Sequence, residues 1–366
     1  MTQQTDHSDP EVVDVPQQAP RRRSRGPGRR TWTLVLSFLL VAVIGLIGGV
    51  VQVPYVALGP GPTFDTLGSV SGTKVVDVKG QGAFPTRGHL MMTTVSLTEN
   101  VTLFGALGLW ATGRYSLAPR EEYFKPGESQ QDVQKENVQQ FTDSQTNAQV
   151  AALRYLGYPT KVLVGTVTKD SPVVGVLKPG DQLTSINGRR VANTDDVQNS
   201  LKDTKPGQSV PVAFRRDSEP ERTATVVLGH SDDRSWGFMG VTPLDRPDVP
   251  FQVKISLSDV GGPSAGLMFA LAIVDMLSPD GLDNGQVISG TGEIDDKGQV
   301  KPIGGIPFKM IAAREAGATV FLAPAANCSE ARQRIPDGLR LVKVASLSDA
   351  VDALRALKAG KDVPGC

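Results

Sequence analysis

The chain has few of the residues that bind metals: its 366 residues include two cysteines and three histidines. His7, His89 and His230 are scattered, and Cys328 and Cys366 lie far apart, so no metal-ligand spacing is present. Net charge is absent too. Lys+Arg and Asp+Glu balance at 38 each, which offers no basic face to a nucleic acid. Phosphate-binding loops are missing. Gly68 and Gly72-Thr73-Lys74 fail the Gly-Lys-Ser/Thr order, and Asp295 stands where the loop opened by Gly290-Thr291-Gly292 needs its third glycine. The sequence therefore predicts no cofactor, no metal, no nucleic acid and no ATP. Apart from one run near the N-terminus, no apolar stretch is long enough to cross a bilayer; residues 264–277 have the length of a core helix and include Asp275. That rules against an intramembrane peptidase.

Between residues 31 and 64 there is no charged side chain of either sign. Just before it stand Arg21, Arg22, Arg23, Arg25, Arg29 and Arg30. Residues 32–53 are apolar enough, and at ~1.5 Å per residue long enough, to cross a hydrocarbon core of about 30 Å. A secretory signal peptide has a shorter apolar core and a small-x-small cleavage site, and Tyr55-Val56-Ala57-Leu58 is a poor one. An uncleaved anchor over 31–53 is the favoured reading. Arginines ahead of the span keep residues 1–30, a disordered basic tail by composition, in the cytoplasm and export the rest. The expected location is the cell membrane, single-pass, with the bulk of the chain extracytoplasmic. In an oxidising compartment Cys328 and Cys366 are expected to pair, at about 3–4 kcal/mol by loop entropy; two free thiols are the alternative.

After the span, Gly59-Pro60-Gly61-Pro62 stops any continuation of the helix. Residues 75–78 and 89–95 read as short β-branched strands. Residues 121–140 read as a loop and a surface helix, and residues 147–156 as an amphipathic helix closed by Gly157. A compact unit follows at 161–228. It contains Val162-Leu163-Val164-Gly165, Ser171-Pro172, Lys178-Pro179-Gly180-Asp181 and Ile186-Asn187-Gly188, then a helix near 194–201 and two more strands. Short strands, Asn-Gly and Pro-Gly turns and one helix describe a small, partly open barrel. The order of these pieces resembles a PDZ domain of the type attached to bacterial proteases. That resemblance implies strand addition of a peptide beside the helix. It would place the groove at Val162 and Val164 on one side and Val197 and Leu201 on the other. Leu156-Gly157-Tyr158 is a candidate carboxylate loop, with a plain helix terminus as the alternative.

The chemistry is concentrated in two glycine-rich turns. Gly261-Gly262-Pro263-Ser264-Ala265-Gly266 runs into an apolar helix, and Gly304-Gly305-Ile306-Pro307-Phe308-Lys309 opens another. Gly262, Pro263 and Ala265 shape a sharp turn at a helix start, whose unpaired N–H groups could serve an oxyanion. Taken alone, Ser264 reads more readily as a helix N-cap than as a nucleophile. Lys309 acts as a base only when neutral, which requires an apolar surrounding to lower its pKa; Ile303, Ile306, Phe308, Met310 and Ile311 would supply one. A solvated lysine is the alternative.

Gly-Pro-Ser-Ala-Gly at 262–266 resembles the nucleophile motif of the Lon protease domain. Gly290-Thr291-Gly292-Glu293, Pro302-Ile303-Gly304-Gly305 and Lys309-Met310-Ile311-Ala312-Ala313 resemble its second motif. The resemblance implies Ser264 as nucleophile, Lys309 as general base and Thr291 as a hydroxyl contacting the lysine. One departure stands out: Gly261 occupies a position usually held by Asp. Residues 88–95 and 144–156 resemble the opening strand and long helix of the same domain. The expected fold is α+β, with one transmembrane helix and a Lon-protease-like α/β domain. The PDZ barrel (159–229) is inserted between an N-terminal part (54–158) and the catalytic part (230–366). This layout resembles the membrane-anchored PDZ/Lon-like serine peptidases of Gram-positive bacteria, actinobacteria in particular. It implies an ATP-independent endopeptidase acting on secreted or membrane-bound peptides or proteins, and leaves room for a multimer. The competing reading is a catalytically inactive PDZ surface adaptor.

Overall fold

A computed structural model describes residues 28–124, 127–258, 260–282 and 285–366; the basic tail up to residue 27 lies outside the described residues. The apolar run forms α1 (Arg29–Val50). Among the described residues it is the one helix long and apolar enough to cross a membrane. It stops short of residue 53 because Val51 turns to extended backbone and Gln52 bridges to Thr102. Gly59-Pro60-Gly61-Pro62 proves to lie inside a strand, Tyr55–Asp65. The prolines are accommodated because the register against strand His89–Thr98 shifts between Pro60 and Thr63, a bulge where ladder bonds are missing. Next comes α2 (Leu103–Ala111), an element the sequence reading does not contain, started by Thr102 Oγ1 accepting from Gly105 N.

Where the sequence suggests a loop and two helices, the structure has one helix of 26 residues, α3 (Gln130–Tyr155), begun by a Ser129/Asp132 capping box. Its first turns are polar because they lie on the surface; its buried residues begin at Phe141 and concentrate at Ala148–Leu153. Gly157, at φ +80°, ends it, and Tyr158 N donates back to Leu153 O. The smaller sheet runs in the order Arg222–Val227, Ser209–Arg215, Gln182–Ile186, Thr160–Val167, Val241–Pro247. Helix α4 (Thr194–Leu201) closes over a core that includes Val162, Leu183, Ile186 and Val212. The sheet thus runs on to Pro247, past the expected limit of 229, because its last strand follows the hairpin of Gly229–Ser231 and Arg234–Phe238.

The larger sheet has the order Arg340–Val344, Val320–Pro324, Val287–Gly290, His89–Thr98, Tyr55–Asp65, Ser116–Pro119. The first four strands are parallel and the last two antiparallel to their neighbours. Three of its strands precede the smaller sheet in sequence and three follow it. Under it lies α5 (Gly266–Leu277), all of whose residues are buried. It packs on α3 in a core that holds an edge-to-face pair, Phe141–Phe269, with centroids 5.8 Å apart. Helices α6 (Ile306–Glu315), α7 (Cys328–Ala331) and α8 (Leu347–Lys358) complete this mixed α+β fold. Cys328, at the head of α7, is joined to Cys366 in a disulfide that ties the terminal residue to the core.

Candidate active site

Gly262 has φ +82°, a conformation that favours glycine, and it turns the chain from strand Gln252–Ile255 towards α5. The helix itself begins at Gly266, two residues beyond Ser264, with Ala265 as N-cap and no side-chain cap. Ser264 is therefore not the helix cap that its sequence context suggests. Its Oγ lies 2.8 Å from Lys309 Nζ. The loop is held from several directions: Ser144 Oγ of α3 donates to Pro263 O (2.8 Å), Gly292 N to Ser264 O (2.9 Å) and Gly262 N to Asn137 O (3.0 Å). A Cβ added at Gly266 would lie 2.8 Å from both Ser144 Oγ and Ile294 Cγ2. Only glycine lets the head of α5 come so close to α3.

Lys309 sits in the first turn of α6, which starts after Gly305 at φ +72° and has Pro307 near its beginning. The side chain points inward and is 3% exposed. Besides Ser264, the Nζ group donates to Thr93 O of strand His89–Thr98 (2.9 Å). Ile306 and Met310 are buried beside it, and Ile303, Phe308 and Ile311 are half-buried. Removal of water from the ammonium group lowers the lysine pKa to about 8. A lysine that gives up its proton near neutrality, within hydrogen-bond reach of a hydroxyl, is the arrangement a Ser-Lys nucleophile requires.

Two expected roles change. The Thr291 hydroxyl donates to the Ser264 carbonyl oxygen (3.0 Å), not to the lysine. Thr291 follows strand Val287–Gly290, and that strand end lies beneath the serine loop, whereas the lysine approaches from α6. Among the turn residues expected to serve an oxyanion, Gly262 has its N–H engaged by Asn137 O, and Pro263 has none. That leaves Ala265, next to the serine at the head of α5. Sequence reasoning missed Thr93, Asn137 and Ser144. Thr93 and Asn137 act through backbone carbonyls, which no residue type marks, although Thr93 and Ser144 lie within 88–95 and 144–156, the segments that resemble the opening strand and helix of the Lon fold. Gly261 also acquires a reason: a Cβ there would lie 2.8 Å from Asn137 Cβ. The space an aspartate needs is occupied by α3. A cavity of about 590 Å³ opens beside Ser264 and Lys309, walled by Leu58, Met92, Val95, Val260 and Ile303.

In the smaller sheet the strand side of the expected groove is not available, while Val197 and Leu201 on its α4 side do line a cleft. Strand Thr160–Val167 is paired on one side with Gln182–Ile186 and along its other side with Val241–Pro247, so it has no edge to offer. Val162, Val164, Val197 and Leu201 are all buried. The terminal strand of the sheet is Val241–Pro247 instead. A cleft between it and α4 is lined by Val197, Leu201, Trp236, Phe238, Met239 and Val241. Leu156-Gly157-Tyr158 is a helix terminus, while Gly240, at φ +79°, turns the chain at the head of this cleft. Buried Asp245, at the far end of the same strand, accepts from Thr194 N (2.9 Å) and pairs with Arg154 of α3 (2.6 Å).

This fold therefore combines two recognisable units. Residues 255–357 match the Lon protease (S16) C-terminal proteolytic domain, and residues 132–227 match a PDZ domain. The chain is similar to the Lon protease of Phenylobacterium zucineum (strain HLK1), 33% identical over 121 residues, which are 31% of this chain and 15% of that protein. It is also similar to Lon protease 2 of Bacillus subtilis (strain 168), 34% identical over 119 residues, 32% of this chain and 20% of that one. The match spans a small part of the length of these relatives. Among solved structures, the PDZ domain of an SdrC-like protein from Listeria monocytogenes is 24% identical, covering 23% of this chain and 86% of that one, with a TM-score of 0.21.

Proposed function

We propose that the chain is a membrane-tethered, extracytoplasmic, ATP-independent serine endopeptidase in which Ser264 is the nucleophile and Lys309 its general base. The observation that supports this most is the 2.8 Å approach of a buried lysine amine, with its pKa lowered to about 8, to the serine hydroxyl. In the neutral state the amine, oriented by the Thr93 carbonyl, accepts the Ser264 proton as Oγ adds to the scissile carbonyl carbon. The oxyanion would face the Ala265 N–H at the positive end of α5. Lys309 then returns the proton to the leaving amine, and water repeats the sequence to release the acyl group. Thr291 and Ser144 hold the serine loop in place.

The PDZ unit is an insert in the catalytic fold, a reading supported by a large sheet built from strands on both sides of it in sequence. It selects substrates by adding a peptide to the edge of Val241–Pro247 beside α4. The arginines before α1 and the apolar helix itself support the anchor and its orientation. The test is labelling by a serine-reactive fluorophosphonate together with cleavage of casein. Labelling at Ser264 that disappears in Lys309→Ala supports the enzyme. An intact, folded chain that neither labels nor cleaves supports the inactive adaptor.

A further inference from the structure

Helix α2 has no charged residue, and none occurs anywhere between Val101 and Thr112. Its inner side is satisfied: Ala106 is buried with Val101 and Ala57, and Leu109 packs on that cluster. Its outer side is not. Leu103, Phe104, Leu107 and Trp110 are 42%, 47%, 49% and 64% exposed. Their spacing places them along one face of a helix. Apart from Phe104, which meets α1, this stripe is left largely uncovered by the described residues, and an exposed apolar patch of this kind marks a contact surface.

The position of the stripe indicates the partner. Helix α2 starts where α1 ends: Leu103 N donates to Val51 O (3.2 Å), and Val53 N donates to Val101 O (2.9 Å). The Phe104 ring lies against Gly48 so closely that a Cβ there would come within 2.5 Å of it. Trp32 lies near the start of α1 and Trp110 near the end of α2, the helix that begins where α1 ends; tryptophan favours the headgroup level. Beyond the stripe, Arg114 forms a two-pronged pair with Glu315 of α6, and Arg334 donates to Gly113 O (2.8 Å).

We propose that α2 is an interfacial helix whose Leu103, Phe104, Leu107 and Trp110 face sinks into the outer leaflet beside α1. Resting on the reading that α1 spans the membrane, this gives the protein a second lipid contact. The exposed pair Arg114–Glu315 links this contact to α6, the helix that bears Lys309. A short helix buried in this way lies in the plane of the interface.

The test uses the full chain in vesicles of phosphatidylcholine and phosphatidylglycerol, as three single-tryptophan variants that retain Trp32, Trp110 or Trp236. Lipids brominated on the acyl chain quench only tryptophans in contact with them. The expected result is severalfold stronger quenching of Trp110 than of Trp236, and quenching of Trp32. If Trp32 is quenched and Trp110 is not, the span stands and the interfacial helix is wrong. A Trp110 shielded from both bromolipid and aqueous iodide points to a protein partner and also overturns the proposal. If neither Trp32 nor Trp110 is quenched, the span fails as well. As a check on folding, a Leu107→Glu chain that retains only Trp110 should keep its circular dichroism while losing most of the bromolipid quenching.

Discussion

Helices α5 and α2 are both short and apolar, yet their surroundings are opposite. Every residue of α5 is buried, whereas in α2 only Ala106 is. The difference lies in what encloses them. Helix α5 is walled by α3, α8 and the large sheet, so its side chains interlock in a dry core with the Ser264 loop at its head. Helix α2 rests one side on a satellite cluster and turns the other outward. Apolarity alone therefore does not assign a helix to the core. What decides is whether protein encloses every face, and among the described residues none covers the outer side of α2.

The largest expected effect sits where the head of α5 meets the first turn of α6. Ser264→Ala and Lys309→Ala should each reduce casein cleavage on the order of 10³-fold or more with an unchanged fold. Lys309→Arg should fail as well, since a guanidinium does not give up its proton. Appreciable turnover by the arginine variant would remove Lys309 as base. The second effect contrasts the helices directly. Leu271→Ala in α5 is expected to cost about 2–5 kcal/mol of unfolding free energy, because it opens a cavity among fully buried neighbours. Leu107→Ala in α2, in detergent, should cost less than about 1 kcal/mol. Equal costs would mean that the two helices are equally enclosed.

A third effect, of similar size, follows from the buried lysine. Its pKa is about 8 in the folded chain against 10.5 unfolded. Below pH 8 both states hold the proton and the cost of burying the charge is felt in full. Between pH 8 and 10.5 the unfolded chain retains a proton that the folded chain has lost, so stability rises with pH, by about 3 kcal/mol in all. Denaturation of the wild-type chain and Lys309→Met across that window measures it: the wild type should gain on the variant. Peptidase activity should rise over the same range with a midpoint near pH 8. A flat difference in stability would show the amine to be solvated.

Much of the site was legible because its key residues lie at glycine-marked turns: Ser264 after Gly262, Lys309 after Gly305. The fully apolar run of α5 and the two resembling motifs gave the catalytic part of the fold. What stayed hidden acts through the backbone or depends on neighbours distant in sequence. Thr93 and Asn137 contribute carbonyls. Strand Tyr55–Asp65 was masked by prolines that its bulge tolerates. The expected PDZ edge is covered by Val241–Pro247, a strand that lies beyond residue 228, where the barrel pattern in the sequence ends. Helix α2 was hidden because Gly105 and Gly108, poor helix formers, interrupt its apolar run.

The smallest effect concerns Gly261, which borders the Ser264 loop where α3 meets it. A Cβ at this position would stand 2.8 Å from Asn137 Cβ, closer than real Cβ contacts allow, and neither atom can rotate away. Gly261→Asp should therefore not improve the site. It should push the loop off α3, strain the Gly262 N to Asn137 O bond, cost roughly 1–3 kcal/mol and slow cleavage rather than speed it. Asn137→Gly frees the space at about 1 kcal/mol of helix propensity. Combined with Gly261→Asp, it should recover part of the lost activity if crowding is the cause. If the single aspartate variant is faster than wild type, the acid matters to the chemistry and α3 yields more readily than the fully buried packing of α5 suggests.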